Sequence, residues 1–575
     1  MPVLFHIAYL QRPEQLNKAM ATSYNANGEK LGSWVPAQDV PSFQPRKLRV
    51  VCIGAGFAGL MLSYQHKHGD TPLDRFMDLR IYEKNADVGG TWLVNKYPGV
   101  ACDVPAQIYT FPFEPNPSWS RFYASGPEIW NYIKRTSEKY RLDEPVVFNS
   151  QVISSVWDNK AGKWRLEIQQ GLDTIRDEAD ILINATGFLS KWTWPTIPGL
   201  DKFKGKLVHT AAWDTSLDWS GKKVAIIGNG SSAVQLLPEM QPAAAKIVNY
   251  VRGPLWISSA FAAEFTPEGK NFAYTDKEIQ AFKDDPENFF QLRHSIEHSF
   301  NKFFRVSIKD SPEQADAFQH FKAKMEEVLN HDPYLCAKLI PTFQVGCRRL
   351  SPGENYLQAL QEENVTLEFD PIQGFTETGI HSLSKTEDFD IIVCATGFDV
   401  SFRPGWKVVG KNGISIAEQW QDVPEAYFGV WAANMPNFLT VNGPNTPLAH
   451  GSLLAVMSFT VDYISRWIRK ISTQNIKSAQ VRQGALNDYN AYVQELLKTT
   501  VWTGDCRSWF KNGKVDGRVT AMYPGSVIHF KEMLDEFRTE DFEYEYTTQN
   551  RFQFMGNGLT FREKNDEDLA WYMRK

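Results

Sequence analysis

The chain has 575 residues, a length that suits two or three domains around a sizeable core. Hydrophobic residues make up 43% of the chain and charged residues 22%, which is an ordinary globular balance. The formal net charge of −6 argues against nucleic acid or an anionic membrane as the main partner.

The cysteines and the first residues of the chain indicate the cellular compartment of the protein. None of the six cysteines lies in a C-x-x-C pair, so the sequence indicates neither a zinc knuckle nor a redox-active dithiol. Their scatter along the chain is typical of a reducing compartment. The start of the chain has no basic stretch or small-residue cleavage site, and no apolar run reaches the ~18 residues of a membrane span. We therefore expect a cytoplasmic protein whose residues 1–46 form an N-terminal extension without chemistry.

The first glycine-rich loop follows a short β-branched strand, predicted over residues 48–53, and precedes an apolar helix. Its letters, G-A-G-F-A-G, place glycines at Gly54, Gly56 and Gly59. The first permits a tight turn, the second lets the backbone approach a pyrophosphate, and the third packs the helix on the strand. The next strand ends in Glu83, where a carboxylate would bind a ribose diol. A solvent-facing loop carboxylate is the alternative interpretation of Glu83.

A second glycine-containing run, G-G-T-W-L-V-N-K-Y-P-G, lies just beyond that carboxylate. Its glycines permit backbone contact with a flat ring, and Trp92 supplies a stacking face. Asp103 follows the run and would place a carboxylate beside a reaction centre, although it could instead cap a turn. Two matching strand-to-glycine turns, A-T-G, end at Gly187 and Gly397 and indicate the crossing points between two nucleotide-binding domains.

The second nucleotide loop, G-N-G-S-S-A, follows a predicted strand over residues 222–227. Alanine at its third position is a common variant of the dinucleotide motif. The strand after this loop ends in Arg252, whereas the corresponding strand of the first loop ends in an acid. A carboxylate would repel a 2′-phosphate, and a guanidinium binds it with two hydrogen bonds. The sequence therefore predicts FAD at the first loop and NADPH at the second.

Between the two loops lies F-K-G-K-L-V-H-T-A-A-W-D, whose spaced positions are Phe203, Gly205, His209, Trp213 and Asp214. This pattern resembles the signature of type I Baeyer–Villiger monooxygenases, in the flavin-containing monooxygenase superfamily. Such flavoenzymes use NADPH and dioxygen to insert one oxygen beside a ketone carbonyl, through a flavin peroxide. The later run G-C-R-R-L-S-P-G-E-N-Y and the N-terminal extension most resemble the fungal members. An ordinary linker that happens to carry His and Trp is the alternative interpretation.

The resemblance implies a role for each arginine of the basic pair in that later run. Arg348 would face the NADP phosphate, although the family often has lysine there, and Arg349 would face the flavin. Arg349 would then be the cation that keeps the flavin peroxide deprotonated, with Asp103 orienting it. His209 and Trp213 would transmit domain position, with a catalytic base role for His209 as the alternative. A solvated surface pair is the alternative interpretation of the two arginines.

The resemblance also assigns the remaining cofactor contacts. The residues implied for FAD are Gly54, Gly56, Gly59, Glu83, Gly90, Thr91, Trp92, Asp103, Tyr109 and Val152. The residues implied for NADPH are Gly228, Gly230, Ser231, Ser232, Ala233, Arg252, Arg348 and Trp509. Trp509 lies in a C-terminal segment whose following G-A-N-x-P-G-K run, common in the family, is replaced here by G-K-V-D-G.

The expected fold class is α/β, with two Rossmann-like dinucleotide-binding domains and an inserted helical lobe. We assign residues 47–188 and 393–575 to the FAD-binding domain, 189–261 and 341–392 to the NADPH-binding domain, and 262–340 to the lobe. The Phe stripes of the lobe are interpreted as its own core.

Two other functions share parts of this pattern. An N- or S-oxygenating flavin monooxygenase has both loops, but its signature usually lacks the Trp213-Asp214 pair that is present here. A non-oxygenating NADPH–flavin reductase or redox sensor is the more distant alternative, and the missing C-x-x-C disfavours a disulfide reductase. The expected partners are a small ketone and dioxygen, without nucleic acid, membrane or metal; the oligomeric state stays open.

Overall fold

A computed structural model describes residues 34–259 and 261–573 of the chain. The part of the predicted N-terminal extension at residues 1–33 lies outside the described residues. Residues 34–46 lie against the C-terminal end, where the amide of Ser42 donates to the carbonyl of Leu559 over 2.7 Å. Within the described part of the chain, no helix is long and apolar enough to cross a membrane.

A parallel five-stranded sheet carries the first glycine loop. Its strands, in spatial order, are Phe438–Thr440, Ile181–Asn184, Leu48–Ile53, Met77–Tyr82 and Val146–Val147. Both faces of the central strand are covered, because side chains alternate along a strand. Val50 and Cys52 pack against helices Phe57–Lys67 and Leu453–Thr473, whereas Val51 and Ile53 face a smaller sheet. This burial on both faces accounts for the apolar residues 50–53, whereas Arg49, near the start of the strand, is half-buried and pairs with Asp177.

The smaller sheet has four strands and shields the second face of the first sheet. Its strands are Lys407–Val409, Gln151–Asp158, Lys163–Gln170 and Asp173–Ala179.

A second parallel five-stranded sheet carries the second glycine loop. Its strands, in spatial order, are Val365–Glu368, Lys246–Tyr250, Lys223–Ile227, Ile391–Cys394 and Lys206–His209. Val224 and Ile226 pack under helix Ser231–Met240, and Ala225 and Ile227 face the opposite layer. The α/β fold with two Rossmann-like sheets is therefore confirmed.

The remaining elements surround these sheets. The other helices outside the lobe are Thr91–Val94, Gly126–Tyr140, Glu354–Ala359, Ile416–Gln419, Gln483–Leu497, Val527–Asp535 and Phe561–Lys564. The other strands are Ile257–Ser258, Ser351–Pro352, Ile372–Phe375, Gly379–Ser382, Thr386–Asp388, Ile476–Val481 and Phe542–Tyr546.

The inserted lobe consists of helices Asp276–Asp284, Pro286–Lys302, Pro312–Val328 and Pro333–Leu339. Within the lobe, Phe282 packs on Phe289 with ring centroids 5.2 Å apart, but other apolar side chains of the lobe pack on the nucleotide folds. Ile296 packs on Ile108 and Phe122 of the first nucleotide fold, whereas Phe318 meets Trp256 of the second at 5.2 Å. The apolar side chains of the lobe are therefore shared between contacts inside the lobe and contacts with both nucleotide folds.

Candidate active site

The first glycine loop has the backbone shape that a dinucleotide pyrophosphate requires. Gly54 has a φ of +108°, and a Cβ there would lie 2.7 Å from the carbonyl oxygen of Ala185. A Cβ on Gly59 would lie 2.1 Å from the carbonyl oxygen of Gly54, so only glycine lets the helix approach the strand. Helix Phe57–Lys67 begins at Gly56 without a side-chain cap, which leaves its first amides available to an anion.

Glu83 lies directly after strand Met77–Tyr82 and is buried, not solvent-facing. One carboxylate oxygen accepts from the amide of Ala55 over 2.8 Å, and the other accepts from the amide of Asn85 over 2.9 Å. The side-chain amide of Asn85 also donates to Oε1, over 2.6 Å. These bonds fix the carboxylate beside the glycine loop, and Oε2, which among the described residues accepts only from Ala55, keeps lone-pair capacity for a further donor such as a ribose hydroxyl.

The second glycine-containing run lies against the first loop. The amide of Gly89 donates to the carbonyl of Ala55 over 3.1 Å, and Gly90 caps the short helix Thr91–Val94 with a φ of +53°. Trp92 is buried, and its indole N–H donates to the hydroxyl of Tyr109 over 3.2 Å. Burial raises the pKa of Tyr109 well above its ordinary value. The two rings therefore form a fixed, neutral aromatic edge next to the loop.

The second glycine loop repeats this geometry on the second sheet. Gly228 has a φ of +113°, and a Cβ there would lie 2.5 Å from the carbonyl oxygen of Ala395. Nothing lies within 4 Å of a Cβ built on Gly230, so its backbone stays open on that side. Helix Ser231–Met240 begins there without a side-chain cap, and Ala233 is fully buried against the sheet. Ser231 exchanges a hydrogen bond with Ser351 over 3.1 Å.

Two arginines converge beside the second loop. Arg252 is exposed just past strand Lys246–Tyr250, and Arg348 donates to the carbonyl of Pro254 over 3.1 Å. Burial and the nearby charge of Arg252 lower the pKa of Arg348. Among residues 34–259 and 261–573, neither guanidinium forms an ion pair with an acid. Two like charges held together without a carboxylate favour a dianionic ligand such as a phosphate.

The two nucleotide folds meet through the segment that leads from Trp92 to Asp103. The hydroxyl of Tyr97 donates to the side-chain oxygen of Gln235 over 2.8 Å, and the Gln235 amide donates to the carbonyl of Ala101 over 3.0 Å. Gln235 belongs to helix Ser231–Met240, which begins at the second glycine loop. These contacts hold Asp103 at the boundary between the folds.

Arg349 forms an ion pair with Asp103 across that boundary, 246 residues apart in sequence. Both side chains are partly buried, with 36% and 17% of their surfaces exposed, which excludes a freely solvated pair. The charge of Asp103 raises the pKa of Arg349 against the opposing effect of burial, so the guanidinium stays charged. A permanent cation is thus paired with Asp103 at the boundary between the two nucleotide folds.

His209 of the linking signature is buried and held in one tautomer. Its Nδ1 accepts from the amide of Ala211 over 3.1 Å, so its Nε2 carries the proton and donates to the Thr396 hydroxyl over 3.2 Å. Trp192 stacks on the imidazole with ring centroids 4.4 Å apart. Burial lowers the pKa of His209 to about 4. The imidazole thus connects the end of strand Lys206–His209 to Thr396 in the second A-T-G turn. Both of its nitrogens are hydrogen-bonded, so neither is free to act as a base.

The other members of the signature are structural in their contacts. The ring of Phe203 lies over Gly205, where a Cβ would come within 2.4 Å of it. Trp213 is buried in the core of the second fold and meets Trp219 edge-on. Asp214 is half-buried, pairs with Lys206 over 2.6 Å and accepts from Ser216.

Two predicted contacts lie at the margins of the site. Trp509 is in the short helix Trp509–Lys511, and its ring stacks with Phe188 at 5.8 Å, just past the first A-T-G turn. Val152 is buried in the cluster that includes Ile53 and Tyr82, at the carboxyl end of the first sheet. Ser232 is the second residue of helix Ser231–Met240, and Thr91 is the first residue of its short helix.

The buried histidines give a testable pH dependence. The folded pKa is lowered from 6.5 to about 4 for His209 and for His450, so the unfolded chain binds protons more readily between these values. The free energy of unfolding should therefore fall as the pH drops from about 6.5 toward 4, by at most about 3 kcal/mol for each ring. We expect His209→Gln to flatten this slope in denaturant titrations, and the exposed His381→Gln to leave it unchanged. Equal slopes in all three proteins would contradict the buried neutral state.

Sequence reasoning missed two features of the site. Trp192 covers His209, but a tryptophan in a Pro-containing linker carries no signal of its partner. Cys347 and Cys506 form a disulfide, although their spacing of 159 residues has no motif that would predict pairing. The sequence had been interpreted as free of a redox-active dithiol, and only the fold brings these two sulfurs together.

Comparison with known proteins agrees with this geometry. Residues 47–273 match the flavin-binding monooxygenase-like family. The chain is 48% identical over 547 residues to the FAD-binding monooxygenase tazF of Aspergillus terreus, covering 94% of this chain and 97% of that protein. It is 32% identical to a Baeyer-Villiger monooxygenase of Pseudomonas aeruginosa, covering 89% and 94%. The fold matches a crystal structure of cyclohexanone monooxygenase from Rhodococcus sp. Phi1 bound to NADP+, with a TM-score of 0.74, 24% identity, and coverage of 88% and 100%.

Proposed function

The chain belongs to the type I Baeyer–Villiger monooxygenases of the flavin-binding monooxygenase-like family, and from this we propose its reaction and the residues that perform it. The enzyme uses FAD, NADPH and dioxygen to insert one oxygen atom beside the carbonyl of a small ketone, which gives an ester or lactone. The observation that carries the proposal is the Arg349–Asp103 ion pair, because it places a fixed cation between two complete dinucleotide loops.

FAD fits the first loop on the observed geometry. The positive φ of Gly54 and the lack of room for a Cβ at Gly59 are needed by a loop that wraps a pyrophosphate, and Glu83 stands ready for the ribose. Trp92 and Tyr109 would line the flavin ring. The chemistry that bound FAD supplies is acceptance of a hydride from NADPH and activation of dioxygen.

NADPH fits the second loop for a complementary reason. Gly230 leaves the backbone open to a pyrophosphate, and the unpaired cations Arg252 and Arg348 would hold the 2′-phosphate. Trp509 would meet the nicotinamide nucleotide from the C-terminal side. NADPH is thereby preferred to NADH, which has no group to offset the repulsion between the two guanidiniums.

Arg349 and Asp103 act on the oxygen-transfer step. Negative charge develops on the ketone oxygen when the carbonyl is attacked, and a preorganised cation in a partly dry site stabilises that charge. Asp103 keeps the guanidinium charged and fixes its direction. Because hydride delivery and oxygen transfer need different space beside the flavin, the Arg349 side chain or the nicotinamide must move between them.

The domain division and the cellular setting belong to the same proposal. The first sheet supports a FAD-binding domain of residues 47–188 and 393–575, and the second supports an NADPH-binding domain of 189–261 and 341–392. Strand Ile391–Cys394 pairs within the second sheet, so the boundary assigned between residues 392 and 393 falls inside this strand. The enzyme works in the cytoplasm on a small molecule, without nucleic acid or membrane, and a fractionation experiment tests the location.

A substrate panel tests the reaction. Purified yellow protein is mixed with NADPH and a set of cyclic, linear and aromatic ketones, beside matched thioethers and tertiary amines. The proposal predicts products that are heavier than a ketone by one oxygen, formed only when NADPH is present. Oxygen gain on thioethers or amines alone would make the enzyme a heteroatom oxygenase. NADPH oxidation without any oxygenated product would make it a reductase.

Arg252→Ala tests the choice of nucleotide. Loss of a charge-assisted phosphate contact should weaken NADPH binding by about 1.5–3 kcal/mol, which is roughly a 10- to 150-fold rise in KM. The KM for NADH should change little, since NADH has no 2′-phosphate. Steady-state kinetics with both nucleotides measure this, and Arg176→Ala, which is 84% exposed on the four-stranded sheet, serves as the control. Equal losses for NADPH and NADH would show that Arg252 is structural.

A further inference from the structure

The disulfide joins the two parts of the chain that the proposed mechanism must move. Cys347 and Cys506 have Cα atoms 6.2 Å apart, and the other four cysteines are free. Cys347 lies two residues before Arg349, and Cys506 lies three residues before Trp509. One covalent bond therefore links the loop that carries Arg349 to the segment that carries Trp509, which would meet the nicotinamide nucleotide.

Little else connects the Cys347 loop to the Cys506 segment. Within the described chain, no hydrogen bond joins residues 344–350 to residues 501–512. The two pieces lie close together all the same: a Cβ on Gly346 would lie 3.5 Å from the Val501 side chain, and one on Gly504 would lie 3.3 Å from the sulfur of Cys347 and 3.4 Å from Oε1 of Gln344. Without the sulfur–sulfur bond, the two pieces would be held by packing alone.

Apart from the disulfide, the Cys347 loop and the Cys506 segment are bound to different neighbours. Arg348 and Arg349 are tied to Pro254 and to Asp103, on the nucleotide folds. The Cys506 segment is tied to the lobe, because Lys309 donates to the hydroxyl of Thr503 over 2.7 Å, and to the C-terminal part of the chain, because Phe510 is buried in one cluster with Met522. Since two residues span at most about 7 Å of chain, a shift of Cys347 by a few ångströms must be taken up at Arg348 or Arg349.

We propose that Cys347 and Cys506 are a redox-responsive pair that sets how firmly Arg349 and the Trp509 segment are held together. In the disulfide form, the two pieces keep one relative position, and NADPH oxidation stays coupled to oxygen transfer. In the dithiol form, the Trp509 segment moves away from the Arg349 loop more often, and a larger share of the activated oxygen is lost as hydrogen peroxide. The catalytic part of this inference rests on the proposed function, whereas the existence of the reversible bond does not.

The disulfide can form and break with a small oxidant and a small reductant as the only other reactants. Oxidation by hydrogen peroxide forms the sulfur–sulfur bond and breaks the oxygen–oxygen bond; two thiols are oxidised, and their protons leave in two molecules of water. Reduction by a small dithiol reverses the sulfur change, because two successive exchanges leave two protein thiols and one oxidised dithiol. In a reducing compartment such protein disulfides are characteristically transient or redox-sensing.

The burial of the pair adds a link to nucleotide binding. Cys347 is 0% and Cys506 is 2% exposed, so a reductant reaches the sulfurs only when the Cys506 segment opens. A nucleotide that holds Trp509 should oppose that opening. Bound NADP+ should therefore slow reduction of the disulfide, whereas NAD+, which lacks the 2′-phosphate, should slow it less.

Thiol counting on the holoenzyme tests the bond itself. After purification in air and unfolding under non-reducing conditions, the proposal predicts four free thiols from the six cysteines, and six after treatment with a small dithiol. Peptide mapping should find residues 347 and 506 in one linked pair of peptides, and peroxide should restore that pair after reduction. Six free thiols in the air-purified and peroxide-treated protein, or a different pairing, would overturn the proposal whether or not the enzyme oxygenates ketones.

Serine variants test the consequence. Cys347→Ser, Cys506→Ser and the double variant each remove the same bond, so all three should match the reduced wild type. We expect each to raise hydrogen peroxide released per NADPH by about 5-fold or more, a typical size for coupling between sites. The half-exposed Cys336→Ser is the control and should behave as wild type. If a variant does not fold, wild type that is reduced and then alkylated gives the same comparison. The catalytic part would be overturned if reduced wild type released no more hydrogen peroxide per NADPH than the disulfide form. It would also be overturned if the dithiol raised this ratio equally in the double variant, which has no disulfide to reduce.

Discussion

Arg349→Ala should stop ester or lactone formation while leaving NADPH oxidation measurable. Loss of one preorganised charge-stabilising donor costs about 10²–10³ in rate, and a full charge in a partly dry site could cost more. Hydride transfer to the flavin needs no such anion stabilisation, so it should continue, slowed by a misplaced nicotinamide. The NADPH that is consumed should then appear as hydrogen peroxide.

Three further variants locate that effect. Arg349→Lys keeps the charge but loses the planar fork that meets Asp103, so it should recover little activity. Asp103→Ala should give a milder form of the same defect, because it frees the guanidinium without deleting it. Arg348→Ala is the neighbouring control: it should raise the KM for NADPH but keep product formation coupled at saturating NADPH.

Stopped-flow absorbance separates the half-reactions of the Arg349→Ala protein. Anaerobic mixing with NADPH follows bleaching of the flavin, and later mixing with oxygenated buffer and ketone follows reoxidation and product. The expected result is near-normal bleaching followed by reoxidation without product. Oxygenated ketone formed at close to the wild-type rate would remove Arg349 from the role proposed for it.

Gly59→Ala should empty the flavin site. Its Cβ would lie 2.1 Å from the backbone oxygen of Gly54, and no flexible side chain is there to move aside. The helix or the loop must shift instead, which costs about 1–3 kcal/mol in a packed core and displaces the helix amides from the pyrophosphate. We expect colourless protein, or FAD affinity lower by at least about 10-fold.

The ratio of flavin absorbance to protein absorbance measures this result, together with the unfolding temperature. Gly230→Ala is the matched control, because nothing lies within 4 Å of a Cβ there. It should keep both FAD and the unfolding temperature but weaken NADPH, since only a bound nucleotide would meet the added methyl group. A yellow Gly59→Ala protein with full FAD content would contradict the assignment of the first loop.

The sequence predicts those features of the fold that depend on neighbouring residues alone, such as the first strand and the glycines of the two loops. The strand expected at residues 48–53 is present, because its residues 50–53 are covered on both faces and are all apolar. Gly54 and Gly228 were recognisable because their backbone angles exclude most other residues. The pairing of Arg349 with Asp103 came from a family resemblance, and the structure brings the two side chains together.

Long-range packing was not accessible in the same way. Nothing near Cys347 marks Cys506 as its partner, since a disulfide depends on where two distant loops end and not on their sequences. The contacts of the lobe with the nucleotide folds were not predictable for a related reason: a stripe of phenylalanines shows that a helix face is buried but not what buries it. Ile296 lies on the first nucleotide fold, which only the tertiary structure determines.

Turnover under dioxygen labelled with heavy oxygen tests the central claim most directly. The wild-type holoenzyme, NADPH and the best ketone of the panel are combined under the labelled gas, and the product is analysed by mass spectrometry. The account predicts an ester or lactone with one labelled oxygen, located in the ring or ester position next to the original carbonyl. An unlabelled product, or labelled hydrogen peroxide with the ketone unchanged, would contradict it.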